Sequence, residues 1–127
     1  MATQLVLCDT NVLIEFYKNN SSVVDTLKKI GQSNIALSVV TTAELIYGAL
    51  NKKELQQILT DLGHLTSLDI DSDICRIFLR LMSDYSLSHN LTLPDALIAA
   101  SALHHEIPLY TLNLKDFKYI PDLKLYI

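Results

Sequence analysis

Leu5-Val6-Leu7-Cys8 is apolar at every position, with no polar alternation. That pattern marks a strand covered on both faces, as in the parallel sheets of α/β proteins. Ile35-Ala36-Leu37-Ser38 reads as a second buried strand, Leu65-Thr66-Ser67-Leu68 as a third, Pro108-Leu109-Tyr110-Thr111 as a last central strand and Leu123 to Ile127 as a terminal edge strand. Between them the period changes. Val12, Leu13, Phe16 and Tyr17 share one helical face from Thr10 onward, and Ser22 is placed to cap a helix burying Val23, Leu27 and Ile30, with Gly31 as its left-handed end. Two helices follow, at about 42–50 and 53–62. Asp69 to Ser72 supplies caps for a further helix between Asp73 and Tyr85, where Ile74, Ile77, Phe78, Leu81 and Met82 recur at helical steps. Ser86 to Asn90 is a polar loop, Pro94 opens a helix continued by Ala96 to Leu103, and Asn113 to Phe117 is a loop or single turn.

Strands alternating with helices predict an α/β fold with a mainly parallel central sheet and helices on both faces. The 127 residues suit one domain spanning 1–127. Half of the residues are hydrophobic and 19% are charged, enough for a core and unlike a disordered tail. No apolar run approaches the roughly 20 residues of a membrane span. Met1-Ala2-Thr3-Gln4 lacks the basic start of a signal peptide, so a soluble cytoplasmic protein is expected. Cys8 and Cys75 form no CxxC pair and are expected to be buried thiols. A net charge of −4 disfavours a passive nucleic-acid binder, because phosphate affinity normally comes from Lys and Arg. Any nucleic acid would need cations to mediate.

Candidate chemistry lies in four acids. Asp9 follows a strand and precedes a helix, where it could cap the second or third amide of that helix. Glu44, three residues after Thr41, fits a capping box. Asp95 follows Pro94 in a first helical turn, where the dipole favours a carboxylate, and Asp116 could be solvated beside Lys115 and Lys118. Each therefore has a structural explanation. All four, however, fall at or just beyond the carboxyl end of a predicted strand, where open α/β sheets gather function. Carboxylates crowded in one cleft need raised pKa values or a cation. Oxygen ligands suit Mg²⁺ or Mn²⁺, and the lack of a His/Cys cluster argues against zinc. Such ions support phosphodiester hydrolysis by activating water and stabilising charge on the phosphate.

Four segments together, Leu7 to Ile14, Thr42 to Gly48, Leu93 to Ala100 and Tyr110 to Phe117, resemble a PIN domain of the VapC toxin type, in order and across nearly the whole chain. The resemblance implies a three-layer α/β/α fold, a Mg²⁺- or Mn²⁺-dependent endoribonuclease acting on RNA such as tRNA or rRNA, a homodimer, and inhibition by a VapB-like antitoxin. It assigns catalysis and metal binding to Asp9, Glu44, Asp95 and Asp116, with Thr10, Asn11, Thr111 and Asn113 in support. Many relatives carry Asp where this chain has Asn113, so Asp116 is expected to compensate, with Thr111 or Asn113 holding a water on the ion. Alternatives are a PIN nuclease of RNA processing and a degenerate scaffold that binds without cutting. A haloacid-dehalogenase-type phosphatase wants an acid two residues after Asp9, where Asn11 stands. Of the other residues, His104-His105-Glu106 reads as a helix end, Tyr47 as core packing, and Arg76 with Arg80 as a solvated face.

Overall fold

The computed structural model describes residues 4–127; Met1-Ala2-Thr3, part of the start read as lacking a basic leader, lie outside them. In chain order the elements are β1 (Val6–Cys8), α1 (Thr10–Tyr17), α2 (Ser21–Ile30), β2 (Ile35–Ser38), α3 (Val39–Tyr47), α4 (Lys52–Leu62), β3 (Thr66–Leu68), α5 (Ser72–His89), α6 (Leu93–His105) and β4 (Leu109–Tyr110). Short 3₁₀ turns occupy Gln32–Asn34 and Leu114–Asp116. The strands make one sheet, all parallel, in the order β3-β2-β1-β4.

The unbroken apolar strands are explained by two cores. Val6, Cys8, Ile35, Leu37 and Tyr110 pack with Val12 and Leu13 of α1, Val23 and Leu27 of α2, and Ile58 and Leu62 of α4. Their sequence neighbours Leu7, Ala36 and Leu109 point the other way, into Ile74 and Leu81 of α5, the alanines of α6, and Phe117. Alternate side chains thus enter opposite layers, so neither face of β1, β2 or β4 is open to solvent, whereas edge strand β3 leaves Thr66 and Ser67 exposed. From β1 the chain steps to β2 and β3 in one direction, then crosses back to lay β4 on the other side of β1. Right-handed crossovers taken in opposite directions place their helices on opposite faces. The reversal leaves a crevice between the carboxyl ends of β1 and β4, where open α/β sheets bind ligands.

Several boundaries differ from expectation. Asn20, rather than Ser22, caps α2; its Oδ1 accepts from the amides of Ser22 and Val23 at 3.1 and 3.4 Å. Asn20→Ala is therefore expected to cost about 1 kcal/mol, and Ser22→Ala under about 0.5, in urea unfolding. Gly31 ends the helix at φ 88° as anticipated. α3 starts three residues early because the Ser38 hydroxyl accepts from the Val40 amide at 3.1 Å, so the Thr41–Glu44 capping box does not form. α5 runs through the supposed polar loop to His89, whose ring stacks on Tyr119, and Asn90 closes it in the left-handed region at φ 55°. Leu123 to Ile127 yields a single parallel bridge, Leu109 to Leu125, rather than a strand. Cys8 is buried and its thiol is pushed up to about 12, first by burial and then by Asp9, whereas Cys75 is exposed.

Candidate active site

Asp9 leaves β1 while its amide still pairs with the Tyr110 carbonyl of β4 at 2.9 Å. It then caps α1, but through the first amide rather than the second or third: Oδ1 accepts from Thr10 N at 2.8 Å. Oδ2 accepts from the Thr111 hydroxyl, also at 2.8 Å, across the seam between β1 and β4. The residue is only 5% exposed. Burial raises its carboxyl above the usual range, the two hydrogen bonds oppose that rise, and the charges of Glu44 and Asp116 add to it.

Thr10 Oγ1 lies 2.7 Å from Glu44 Oε1 and 3.0 Å from Thr41 Oγ1. A hydroxyl has one proton, so Thr10 gives it to the carboxylate and accepts from Thr41. Glu44 is thereby tied from α3 to the residue after Asp9. Thr41, fully buried, was not visible as a site residue in the sequence, where it read as a cap.

Asp95 is the third residue of α6, capped by Thr92, whose hydroxyl lies 3.4 Å from the Asp95 amide. The Thr-x-x-Asp spacing of 92–95 was the available signal for that cap. The Asp95 carboxyl is raised to about 6. Burial is the main cause, followed by the charges of Asp9 and Asp116, with the Thr92 hydroxyl opposing and Glu44 adding. Asp116 ends the 3₁₀ turn after β4, and its charge bears on both Asp9 and Asp95.

The supporting residues organise the backbone and the acids. Asn11 Oδ1 accepts from the Leu112 amide at 3.3 Å, pinning the start of α1 to the loop after β4. Asn113 is exposed and contributes its backbone amide, which donates to Thr111 Oγ1 at 3.1 Å. The Thr111 proton is committed to Asp9, so Thr111 orients that carboxylate instead of holding a water with its own hydrogen.

Other singled-out residues lie elsewhere or act differently. Tyr47, expected in the core, is 93% exposed. Arg76 pairs with Asp73 on a solvated face. His104 lies 3.6 Å from Asp71, while Glu106, at φ 54°, is the residue that closes α6.

The four acids converge without a basic partner: no ion pair among the described residues includes any of them. Among the described residues, the group whose ligand atoms already sit within 4.8 Å of one another is Asp71, Asp73 and His104. It lies at the far end of α6 from Asp95, roughly 13 Å along the helix. The quartet is more open. An open set of carboxylate and hydroxyl oxygens suits an ion that keeps several waters and takes only one or two carboxylates directly, which describes Mg²⁺ and, among transition metals, Mn²⁺. The residues present fit such a cation.

A parallel sheet between two helical layers, with acids gathered at its switch point, defines the class: an α/β/α protein with an open acidic site at the carboxyl ends of β1 and β4. Similarity to known proteins gives that class a family. The family model of the PIN domain matches residues 6–123. Ribonuclease VapC10 of Mycobacterium tuberculosis is 33% identical over 94% of this chain and 91% of its own length. Ribonuclease VapC2 of Rickettsia felis is 30% identical over 95% and 96%. A toxin–antitoxin complex from Klebsiella pneumoniae superimposes with a TM-score of 0.80 at 31% identity, covering 93% of this chain and 94% of that one. The chain belongs to the PIN-domain family, in its VapC group. PIN nucleases generally use divalent metal ions.

Proposed function

We propose that this chain is a Mg²⁺- or Mn²⁺-dependent endoribonuclease, the toxin of a toxin–antitoxin pair, cutting phosphodiester bonds in an RNA such as tRNA or rRNA. The observation that carries this reading is the convergence of Asp9, Glu44, Asp95 and Asp116, none of them in an ion pair among the described residues and two of the carboxyls raised. Asp9, Glu44, Asp95 and Asp116 are the residues that would hold the cation. When bound, the ion supplies Lewis-acid activation of water and of the scissile phosphate. The chain's own residues fix the geometry: Thr10 and Thr111 aim Asp9, and Thr10 also holds Glu44. The ion also supplies the positive charge that a chain of net charge −4 lacks for RNA.

A VapB-like antitoxin is the proposed partner of a homodimeric toxin. Support comes from the toxin–antitoxin complex among the structural neighbours. It comes also from a groove of about 350 Å³ on the α1/α2/α4 side, lined by Leu13, Phe16, Tyr17, Val24, Leu27 and Leu62 among others. Unlike the acidic site, this groove offers mainly apolar surface, which suits a partner segment rather than RNA. The chain works as one domain in the cytoplasm on this reading; among the described residues no helix is long and apolar enough to cross a membrane.

The test is cleavage of labelled tRNA and rRNA by the purified, antitoxin-free chain in Mg²⁺, in Mn²⁺ and in EDTA. Discrete fragments that require the metal are expected. RNA left intact in both metals, with the RNA still bound, would replace the nuclease reading with that of a binding scaffold.

A further inference from the structure

A second cluster of ligand-type side chains lies away from the acidic quartet, where the start of α5 meets the last turn of α6. One oxygen each of Asp71 and Asp73 and one ring nitrogen of His104 already lie within 4.8 Å of one another. The set is drawn from two helices, and its third member is an imidazole rather than another acid. Asp71 caps α5 through Oδ1, which accepts from the Ile74 amide at 2.9 Å, and its Oδ2 faces His104 Nε2 at 3.6 Å. That separation is longer than the roughly 3.2 Å limit of a good N–H···O hydrogen bond. It is close to the spacing of two ligands on one tetrahedral ion, about 3.4 Å when the metal–ligand bonds are about 2.1 Å. Asp73 is steadied by Arg76, which donates to its Oδ1, and the half-buried His104 ring is met edge-on by His105 at 4.9 Å. The Ile74 hydrogen bond, opposed by a smaller effect of burial, holds the Asp71 carboxyl below its usual range, so this ligand is charged at neutral pH.

We propose that Asp71, Asp73 and His104 form a second cation site, separate from the acidic quartet, which takes Zn²⁺ in preference to Mg²⁺ and clips the start of α5 to the end of α6. An imidazole with two carboxylates is a donor set that Zn²⁺ accepts at nearly equal bond lengths, whereas Mg²⁺ is served by oxygen ligands. Three protein ligands leave the fourth tetrahedral position to water. The Ile74 amide behind Asp71 and the Arg76 guanidinium behind Asp73 are the partners that hold the two carboxylates in place for the ion. The site lies roughly 13 Å along α6 from Asp95, so an ion there touches no group of the acidic cleft. Its effect falls on the fold instead. α5 and α6 pack against each other, and an ion joining the start of one to the end of the other stabilises the native pairing by binding the folded chain alone.

The test is calorimetric titration of Zn²⁺ into the wild type, His104→Gln and Asp71→Asn, all in a large excess of Mg²⁺ that keeps the oxygen-rich quartet supplied, together with melting of each protein with and without Zn²⁺. Asparagine at 71 still caps α5, and glutamine at 104 is a good helix former, so both variants keep the fold. The expected result is a Zn²⁺ site in the wild type whose affinity is about tenfold or more weaker in each variant. At a hundredfold excess of Zn²⁺ over its dissociation constant, the wild type should melt about 5 °C or more higher, and neither variant should gain as much. Equal Zn²⁺ affinity in the three proteins places the ion elsewhere on the chain and overturns the proposal. A wild type that takes up no Zn²⁺, or that binds it without any rise in melting temperature, overturns it as well. None of these readouts involves RNA cleavage, so the clip and the nuclease reading fail separately.

Discussion

Replacing Asp9 or Asp95 with Asn is expected to reduce RNA cleavage about a thousandfold while leaving the fold intact. Each substitution keeps the size of the side chain but removes a negative charge from the four-acid cluster proposed to hold the cation. Direct stabilisation of charge by a bound divalent ion contributes several kcal/mol to such reactions. Losing about 4 kcal/mol of it corresponds to about three orders of magnitude in rate. The two variants differ in their secondary effect. Asn at position 9 still offers one oxygen for the Thr10 amide and the Thr111 hydroxyl, but its NH₂ group cannot accept, so one of those 2.8 Å bonds is lost. Asp9→Asn should therefore also lower the melting temperature, whereas Asp95→Asn should not. Cleavage by either variant within tenfold of the wild type would remove that residue from the catalytic set.

Asp95→Asn is further expected to stabilise the metal-free protein, increasingly so as pH rises from 4 to above 6. In the folded state the Asp95 carboxyl is raised to about 6. A carboxyl raised on folding supports the fold fully below its unfolded value near 4 and withdraws that support as pH climbs through its folded value. The wild type in EDTA thus loses stability across that window, and the asparagine variant, with nothing to ionise, does not. For a wholly sequestered carboxyl, a rise of this size would correspond to about 3 kcal/mol. Asp95 is partly solvated and sits in a first helical turn whose dipole favours its charge, so roughly 1–2 kcal/mol is the realistic gain. For a chain of this size that is a few degrees of melting temperature. Melting curves in EDTA should coincide near pH 4 and separate by pH 8; curves that stay superimposed across the range would rule out a raised Asp95 carboxyl. The same ionisation makes cation binding proton-linked, so Mn²⁺ affinity in the wild type should fall as pH drops below about 6.

The strands and the acids were readable because local physics fixes them. A run such as Leu5 to Cys8 has no polar face to expose, so it must lie between two layers, and an acid placed directly after it must sit at the end of the sheet. Glu44 was found for its position, yet its local role was misread. The β-branched pair Val39-Val40 obscured a helix that Ser38 already caps, and only the structure reveals that Glu44 turns to Thr10 rather than back to its own helix. Contacts between distant segments had no local signature: Thr41 against Thr10, Thr111 against Asp9, and Tyr119 against His89 are separated by 31, 102 and 30 residues. Tyr47 was misplaced because its helix ends there, and a residue at a helix terminus can point past the core it shares a face with.

The pairing of β1 with β4 carries a consequence for the order in which the molecule comes into being. Asp9 emerges in synthesis 102 residues before its Thr111 partner, and Asp116 follows later still. β4 can join β1 only after every helix and the other two strands have been made, so the most non-local contact in the sheet is also the one that completes the site. A ribosome-bound fragment, or a chain cut short before β4, carries Asp9 without the hydroxyl that aims it. The acidic site is therefore complete only once β4 has been made and has paired with β1.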